Sequence, residues 1–145
     1  MSSEVQSLEV SYFLQATEDE GKVWQAVRGL IGVEVSEERQ LLEGHYGNAI
    51  VWVRCHPTGE EAKKALLEIF SHMREDEKRS VLADLGHSLD EHNALYIRLS
   101  KQVLVMQGNA VPADSDPIRV KVKPRSFLVK GDPVGFYTRL LGKSA

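Results

Sequence analysis

The chain has 145 residues, 42% of them hydrophobic and 27% charged, with a formal net charge of −3 at pH 7. This length and composition fit one domain, residues 1–145, with its core at about 8–141. No apolar run approaches the roughly 20 residues that a membrane helix needs, and residues 1–6 lack the pattern of a signal peptide. Because Cys55 is the single cysteine, an internal disulfide is excluded. We therefore expect a cytoplasmic protein without a membrane partner.

The first half of the chain predicts a strand, a helix and a hairpin. Residues 8–15 are rich in β-forming side chains. Thr17 and, three residues later, Glu20 form a capping-box pattern for a helix that should end near residues 29–32. A turn with Gly and Asn at 44–48 indicates a hairpin, and its second strand, apolar on both faces, should lie inside a sheet. The predicted hairpin strands are 38–43 and 48–55.

The second half predicts helices first and strands afterwards. A second capping box starts a helix over 58–73, and a further helix over 76–85 should stop at Gly86. Asp132 and Pro133 predict the cap and first position of a final helix. The predicted strands are 94–99, 103–107 and 118–122, the second being alternatively a continuation of the first after a bend.

The predicted element order is β-α-β-β-α-α-β-β-β-α. Helices and strands come in blocks, which is typical of an α+β domain. We therefore predict one mainly antiparallel sheet with the helices packed on one face. The other face would then be available for binding.

Charge is divided unequally along the chain. Residues 1–93 carry 9 Lys and Arg against 18 Asp and Glu, whereas residues 94–145 carry 9 against 3. This asymmetry predicts a basic surface on an acidic body. Screening over about 8 Å at physiological salt makes that local surface matter more to a polyanion than the net charge does.

The sharpest local feature is the alternation of apolar and basic residues over 118–125. Alternate side chains of a strand share a face, so the basic ones would line up about 7 Å apart, opposite the core. Like charges in this arrangement repel, and a phosphate backbone would relieve the repulsion. The alternative is a solvated strand with acidic neighbours. The predicted RNA-contacting cations are Arg98, Lys101, Arg119, Lys121, Lys123 and Arg125, with Lys130 nearby.

Aromatic side chains could add base stacking, provided that they lie on the exposed sheet face. Tyr46, at the tip of the predicted turn, is expected to be the most exposed, and Tyr96 is the other predicted stacking residue. Tyr12 and Trp52 are further candidates, although a core position is favoured for Trp52. The aromatic residues expected to pack in the core are Phe13, Trp24, Trp52 and Phe70.

The sequence shows no catalytic or cofactor motif. None of the five histidines has a Cys or His partner at metal-ligand spacing, and the adjacent Cys55 and His56 would point to opposite faces of a strand. No P-loop or dinucleotide fingerprint occurs. We expect a protein that is not an enzyme, with no catalytic residue, metal or cofactor.

Four stretches, taken in order, are similar to a known family. The ordered set resembles a family of small archaeal RNA-binding proteins that are predicted to associate with the exosome, and it covers about residues 8–141. The resemblance implies RNA binding, an accessory role in RNA processing or degradation, and exosome subunits as partners. It also implies a fold like double-stranded-RNA-binding domains and the ribosomal protein that binds 5S rRNA. The stretches are Ala16-Thr17-Glu18-Asp19, Glu43-Gly44-His45-Tyr46-Gly47-Asn48, Leu95-Tyr96-Ile97-Arg98-Leu99-Ser100-Lys101-Gln102 and Asp116-Pro117-Ile118-Arg119-Val120-Lys121-Val122.

Two other functions stay open from the sequence. The acidic helices could dock onto a basic partner, as in an exosome- or ribosome-associated adaptor that does not bind RNA. An enzyme acting on nucleic acid would instead need a pocket with converging carboxylates or histidines. An open sheet edge would also permit a homodimer.

Overall fold

Five strands form one antiparallel sheet in the computed structural model, which describes residues 4–44, 47–125, 129 and 131–142. The order across the sheet is β2-β3-β1-β5-β4. The predicted α+β class with a mainly antiparallel sheet is confirmed, and β3 lies inside the sheet as its two apolar faces indicated. The strands are β1 Val5–Leu14, β2 Glu37–Glu43, β3 Ala49–Cys55, β4 Leu95–Ser100 and β5 Pro117–Pro124.

Helices connect and cover these strands. Their bounds are α1 Glu20–Ile31, α2 Gly59–Ser71, α3 Glu75–Ala83, α4 Leu85–Ser88, α5 Lys101–Gln107 and α6 Pro133–Leu141. The first helix ends as predicted, because Gly32 takes the left-handed conformation (φ 65°) in which its N–H reaches the Arg28 carbonyl. The last helix begins as predicted, with the Asp132 side chain accepting from the Gly135 N–H. None of the helices in the described ranges is long and apolar enough to span a membrane.

The central strand β1 shows how the two faces of the sheet differ. Its residues Val10, Tyr12 and Leu14 are at most 3% exposed, whereas the alternate residues Glu9 and Phe13 are only half-buried. The buried positions belong to one core cluster that includes the apolar stripes of α1, α2 and α6. The helices therefore cover one face, and the alternate strand residues form a second face that we call the open face.

Three local predictions were wrong. Residues 103–107 form α5 rather than a strand, because the Ser100 hydroxyl accepts from the Val103 N–H and Gly108 closes the helix at φ 76°. Gly86 lies inside the short helix α4 and does not end the preceding helix, which stops at Ala83. The first helix is capped by Asp19, whose carboxylate accepts from the Lys22 N–H, and not by Thr17.

Candidate nucleic-acid interface

The basic alternation of β5 lies on the open face as predicted. Ile118, Val120 and Val122 are at most 1% exposed, which turns Arg119, Lys121 and Lys123 to the opposite side of the strand. Within the described part of the chain, none of these three cations has an ion pair. Glu9 is the direct cross-strand partner of Lys121, as the alternative of acidic neighbours expects, but its carboxylate pairs with Arg54 rather than with a β5 cation.

One row across the sheet concentrates arginine. The strand registers pair Arg54 with Ser11, Ser11 with Arg119, and Arg119 with Arg98. Arg119 and Arg98 are directly opposite each other on neighbouring strands, an arrangement that is unfavourable between like charges. Arg98 is exposed, and its guanidinium lies 3.9 Å from the carboxylate of Asp114. The predicted residue Arg98 thus joins the β5 cations in one positive patch.

Each of three cations on the open face lies over an aromatic ring. Arg54 is 5.8 Å from the ring centroid of Trp52, Arg119 is 5.5 Å from that of Phe13, and the Lys121 Nζ is 5.6 Å from that of Tyr96. These distances are within the range of cation–π attraction. Basic and aromatic groups are consequently interleaved on the same surface.

The placement of two aromatic residues in the core was wrong. Phe13 and Trp52 are half-buried on the open face, directly opposite each other on β1 and β3. Alternation along β1 could have revealed this, since Phe13 is out of phase with Val10 and Leu14. Tyr12 is buried and is excluded as a stacking residue, and Phe70 is buried as expected.

Arg54 is a functional candidate that the sequence reasoning missed. Its guanidinium lies 3.5 Å from the Glu9 carboxylate and 3.2 Å from that of Glu38. Both acidic side chains belong to the open face, so Arg54 offsets the negative charge that would otherwise oppose a polyanion there. No motif surrounds Arg54, and only the register of β1, β2 and β3 brings the three residues together.

Lys101 does not belong to the basic surface, which corrects its predicted role. Its side chain is 4% exposed. The ammonium donates to the Phe13 carbonyl at 2.6 Å and contacts the carboxylates of Glu18 at 2.9 Å and Asp116 at 2.8 Å. Lys101 is also in phase with the buried β4 residues Leu95, Ile97 and Leu99, and not with the exposed Arg98. Its charge ties α5 to the end of β1.

The remaining residues that were predicted to contact RNA are Arg125, Tyr46 and Lys130. Arg125 follows the end of β5, is half-buried, and its N–H donates to the Glu4 carbonyl at 3.1 Å. Tyr46 and Lys130 lie outside the described residues.

An acidic groove borders the open face along β4. Asp84, Asp90 and Asp114 line it, together with Tyr96 and Arg98. The Tyr96 hydroxyl donates to the Asp90 carboxylate at 3.0 Å, which fixes the position of the ring.

Hydrogen bonds lower the pKa of one carboxyl group in that groove. Partial burial acts to raise the pKa of Asp90, but N–H donors from Ala94 and His92 and the Tyr96 hydroxyl outweigh it, so its pKa is lowered. These hydrogen bonds therefore stabilise the anionic form of Asp90, which adds negative charge to the groove. Within the described ranges, no three His, Cys, Asp or Glu side chains are grouped so that they could hold a metal ion.

Fold and site together define an α+β domain with a basic, aromatic sheet face, an arrangement typical of nucleic-acid-binding domains. A family model described as RNA binding matches residues 7–124, and the chain belongs to this family.

Archaeal proteins are similar to almost the whole chain. An uncharacterized protein of Methanocaldococcus jannaschii is 33% identical over 131 residues, covering 86% of this chain and 87% of that protein. RNA-binding protein PAB1135 of Pyrococcus abyssi is 28% identical over 134 residues, with 88% and 87% covered. The solved structure of a DUF54 protein from Methanothermobacter thermautotrophicus has a TM-score of 0.77 at 27% identity, covering 94% of this chain and 98% of that one.

Proposed function

We propose that this protein binds RNA through the open face of its sheet, with Arg98, Arg119, Lys121 and Lys123 contacting phosphates. The observation that carries the proposal is the row of β5 cations, none of which forms an ion pair with a described residue, on a face that the helices leave uncovered. Phosphate contacts supply most of the affinity in sequence-independent binding. The name of the Pyrococcus relative is consistent with this function.

Binding rather than chemistry is the role that these groups suit. Guanidinium and ammonium groups bind and orient phosphates, whereas general acid–base catalysis is most often carried out by His, Asp or Glu side chains. Among the described strand residues, the acidic groups on the same face are Glu9 and Glu38, and both contact Arg54. We therefore propose a non-catalytic RNA-binding protein.

The resemblance to exosome-associated proteins adds a proposed context, namely an accessory role in RNA processing or degradation. An accessory factor needs a second surface for its partner. The helical side offers exposed carboxylates, among them Glu75 and Asp76 in the first turn of α3. Co-purification with archaeal exosome subunits, lost on reversing these two charges, would support this context. Co-purification that depends only on RNA, and ends with ribonuclease, would contradict a direct contact.

The test of RNA binding is fluorescence anisotropy with labelled RNA at several salt concentrations. The variant Arg119→Glu/Lys121→Glu/Lys123→Glu should lose binding, because it reverses the charge of the row. A matched control is Lys22→Glu/Lys64→Glu/Arg79→Glu, which makes three equal charge changes at exposed positions on α1, α2 and α3.

Comparing the two variants distinguishes the effect of charge on the open face from the effect of net charge on RNA affinity. We expect the control to bind nearly as the wild type does, because its three changes lie on helices on the other side of the sheet. Salt screens their charges from RNA on the open face. Removing three phosphate contacts should also reduce the salt slope of log K by about 2, at about 0.7 per contact on a single strand. Equal losses in both variants would refute the assignment of this face.

A further inference from the structure

The aromatic rings of the open face form two separate platforms. Trp52 and Phe13 are direct partners on adjacent strands and lie side by side. Tyr96 shares its row with Lys121 and Glu9, two strands and four residues away from Phe13. At about 3.4 Å per residue and 4.8 Å between strands, the second platform is roughly 17 Å from the first. The cations of β5 lie between the two platforms.

Each of these rings has a cation over it, namely Arg54, Arg119 or Lys121. A guanidinium or ammonium can leave its ring and pair with a phosphate, because long basic side chains have several rotatable bonds. Stacking of a base on an aromatic ring is stronger than an exposed cation–ring contact. A polynucleotide that offers both a base and a phosphate would therefore satisfy ring and cation at once.

Only unpaired bases can make such contacts. In an RNA duplex the faces of the bases are covered by their neighbours, and a protein meets phosphates, 2′-hydroxyls and base edges instead. The half-exposed rings of the open face would therefore gain little from a duplex. In a single strand the bases can be splayed out and laid on a sheet.

We infer that the open face takes single-stranded rather than double-stranded RNA, with bases stacked on Trp52, Phe13 and Tyr96 and phosphates held by the β5 cations. This inference rests on the proposed function, because it assumes that RNA binds to this face. It goes beyond that function by naming the form of RNA and the residues that select it. Duplex binding, which the resemblance to double-stranded-RNA-binding domains would favour, is the competing outcome.

The first measurement uses Trp52 as its own reporter. Trp24 packs against the core from α1, and the substitution Trp24→Phe leaves Trp52 as the single tryptophan. Titration of this variant with an unstructured single-stranded RNA should quench and shift the Trp52 emission. A blunt duplex of the same length should bind at least tenfold more weakly and leave the emission nearly unchanged.

The second measurement compares substitutions on the remote platform. Tyr96→Leu should weaken single-strand binding about 5- to 150-fold, the equivalent of about 1–3 kcal/mol for one stacked base. Tyr96→Phe is the matched control, since it keeps the ring and loses only the hydroxyl that bonds to Asp90. It should lose much less affinity than Tyr96→Leu does.

The outcomes separate this inference from the function on which it rests. Equal affinity for single and double strands, an unchanged Trp52 emission at saturation, or equal effects of Leu and Phe at position 96 would overturn the inference. The proposed function would still stand if charge reversal on β5 abolished that binding. If neither form of RNA binds at low salt, the proposed function itself fails.

Discussion

Replacing Lys101 by Met separates a structural cation from the RNA-contacting ones. Methionine keeps the buried stem and removes the ammonium, which contacts the Phe13 carbonyl and the carboxylates of Glu18 and Asp116 at 2.6–2.9 Å. We expect lower stability and unchanged RNA affinity. Lys121→Met is the matched control, and it should weaken RNA binding with little change in stability.

The expected loss in the free energy of unfolding depends on how exposed the partners of the Lys101 ammonium are. Breaking a buried ion pair typically costs about 3–5 kcal/mol, because one charge stays buried without a partner. Here the side chains of Glu18 and Asp116 are 26% and 46% exposed, so water can hydrate part of both carboxylates. The Phe13 carbonyl still loses a charged donor, a loss of about 1.5–3 kcal/mol. We therefore expect the free energy of unfolding to fall by about 2 kcal/mol.

Thermal unfolding and anisotropy together test this expectation. For a chain of this length, a loss of about 2 kcal/mol should lower Tm by roughly 4–8 °C. RNA affinity would be measured well below the Tm of both variants, so that all protein is folded. If Lys101→Met kept the wild-type Tm and lost RNA affinity as Lys121→Met does, the ammonium would have to face solvent, and the assignment of its role would be refuted.

Three further predictions concern the thiol and the acidic groove. Burial raises the pKa of the Cys55 thiol to about 12, so a thiol reagent at pH 8 should modify it only as fast as the protein unfolds; rapid labelling of folded protein would contradict this. The pKa of Asp90 is lowered from 3.8 on folding, so its contribution to stability is present above about pH 4 and is lost on further acidification. Urea unfolding of Asp90→Asn should accordingly show a deficit against the wild type at pH 7 that shrinks at pH 3, and a constant deficit would refute it. Asp114→Asn removes the carboxylate 3.9 Å from Arg98 and should tighten RNA binding about two- to fivefold at low salt, an effect that disappears at high salt; no change at low salt would show that Arg98 makes no phosphate contact.

Several parts of the fold that depend on residues close together in the sequence were predicted correctly. Alternation over 118–125 was sufficient to place Arg119 and Lys121 on one face, because a strand has a period of two whatever lies beside it. The cap formed by Asp132 and Pro133 was likewise local. These signals need no knowledge of which strands pair.

The rest of the site depends on pairing between distant segments. Arg54 meets Glu9 and Glu38 only through the register of three strands, and no spacing in the sequence encodes that register. Lys101 was assigned to the basic surface because it is near Arg98 in the sequence, whereas contacts with the distant Phe13, Glu18 and Asp116 bury it.

Positive and negative charges lie on opposite sides of the sheet, so an approaching polyanion would orient the protein before contact. The cations of β5 are on one side of the sheet, and helices with exposed carboxylates such as Glu60, Glu61 and Glu75 cover the other. A polyanion approaching the helical side is repelled, whereas one approaching the open face is attracted. This steering turns the open face toward the polyanion during diffusion and so increases the fraction of encounters that lead to binding. Capture rates should therefore follow this electrical polarity more closely than the isoelectric point near 6.0, and the same molecule should be retained by both cation- and anion-exchange surfaces.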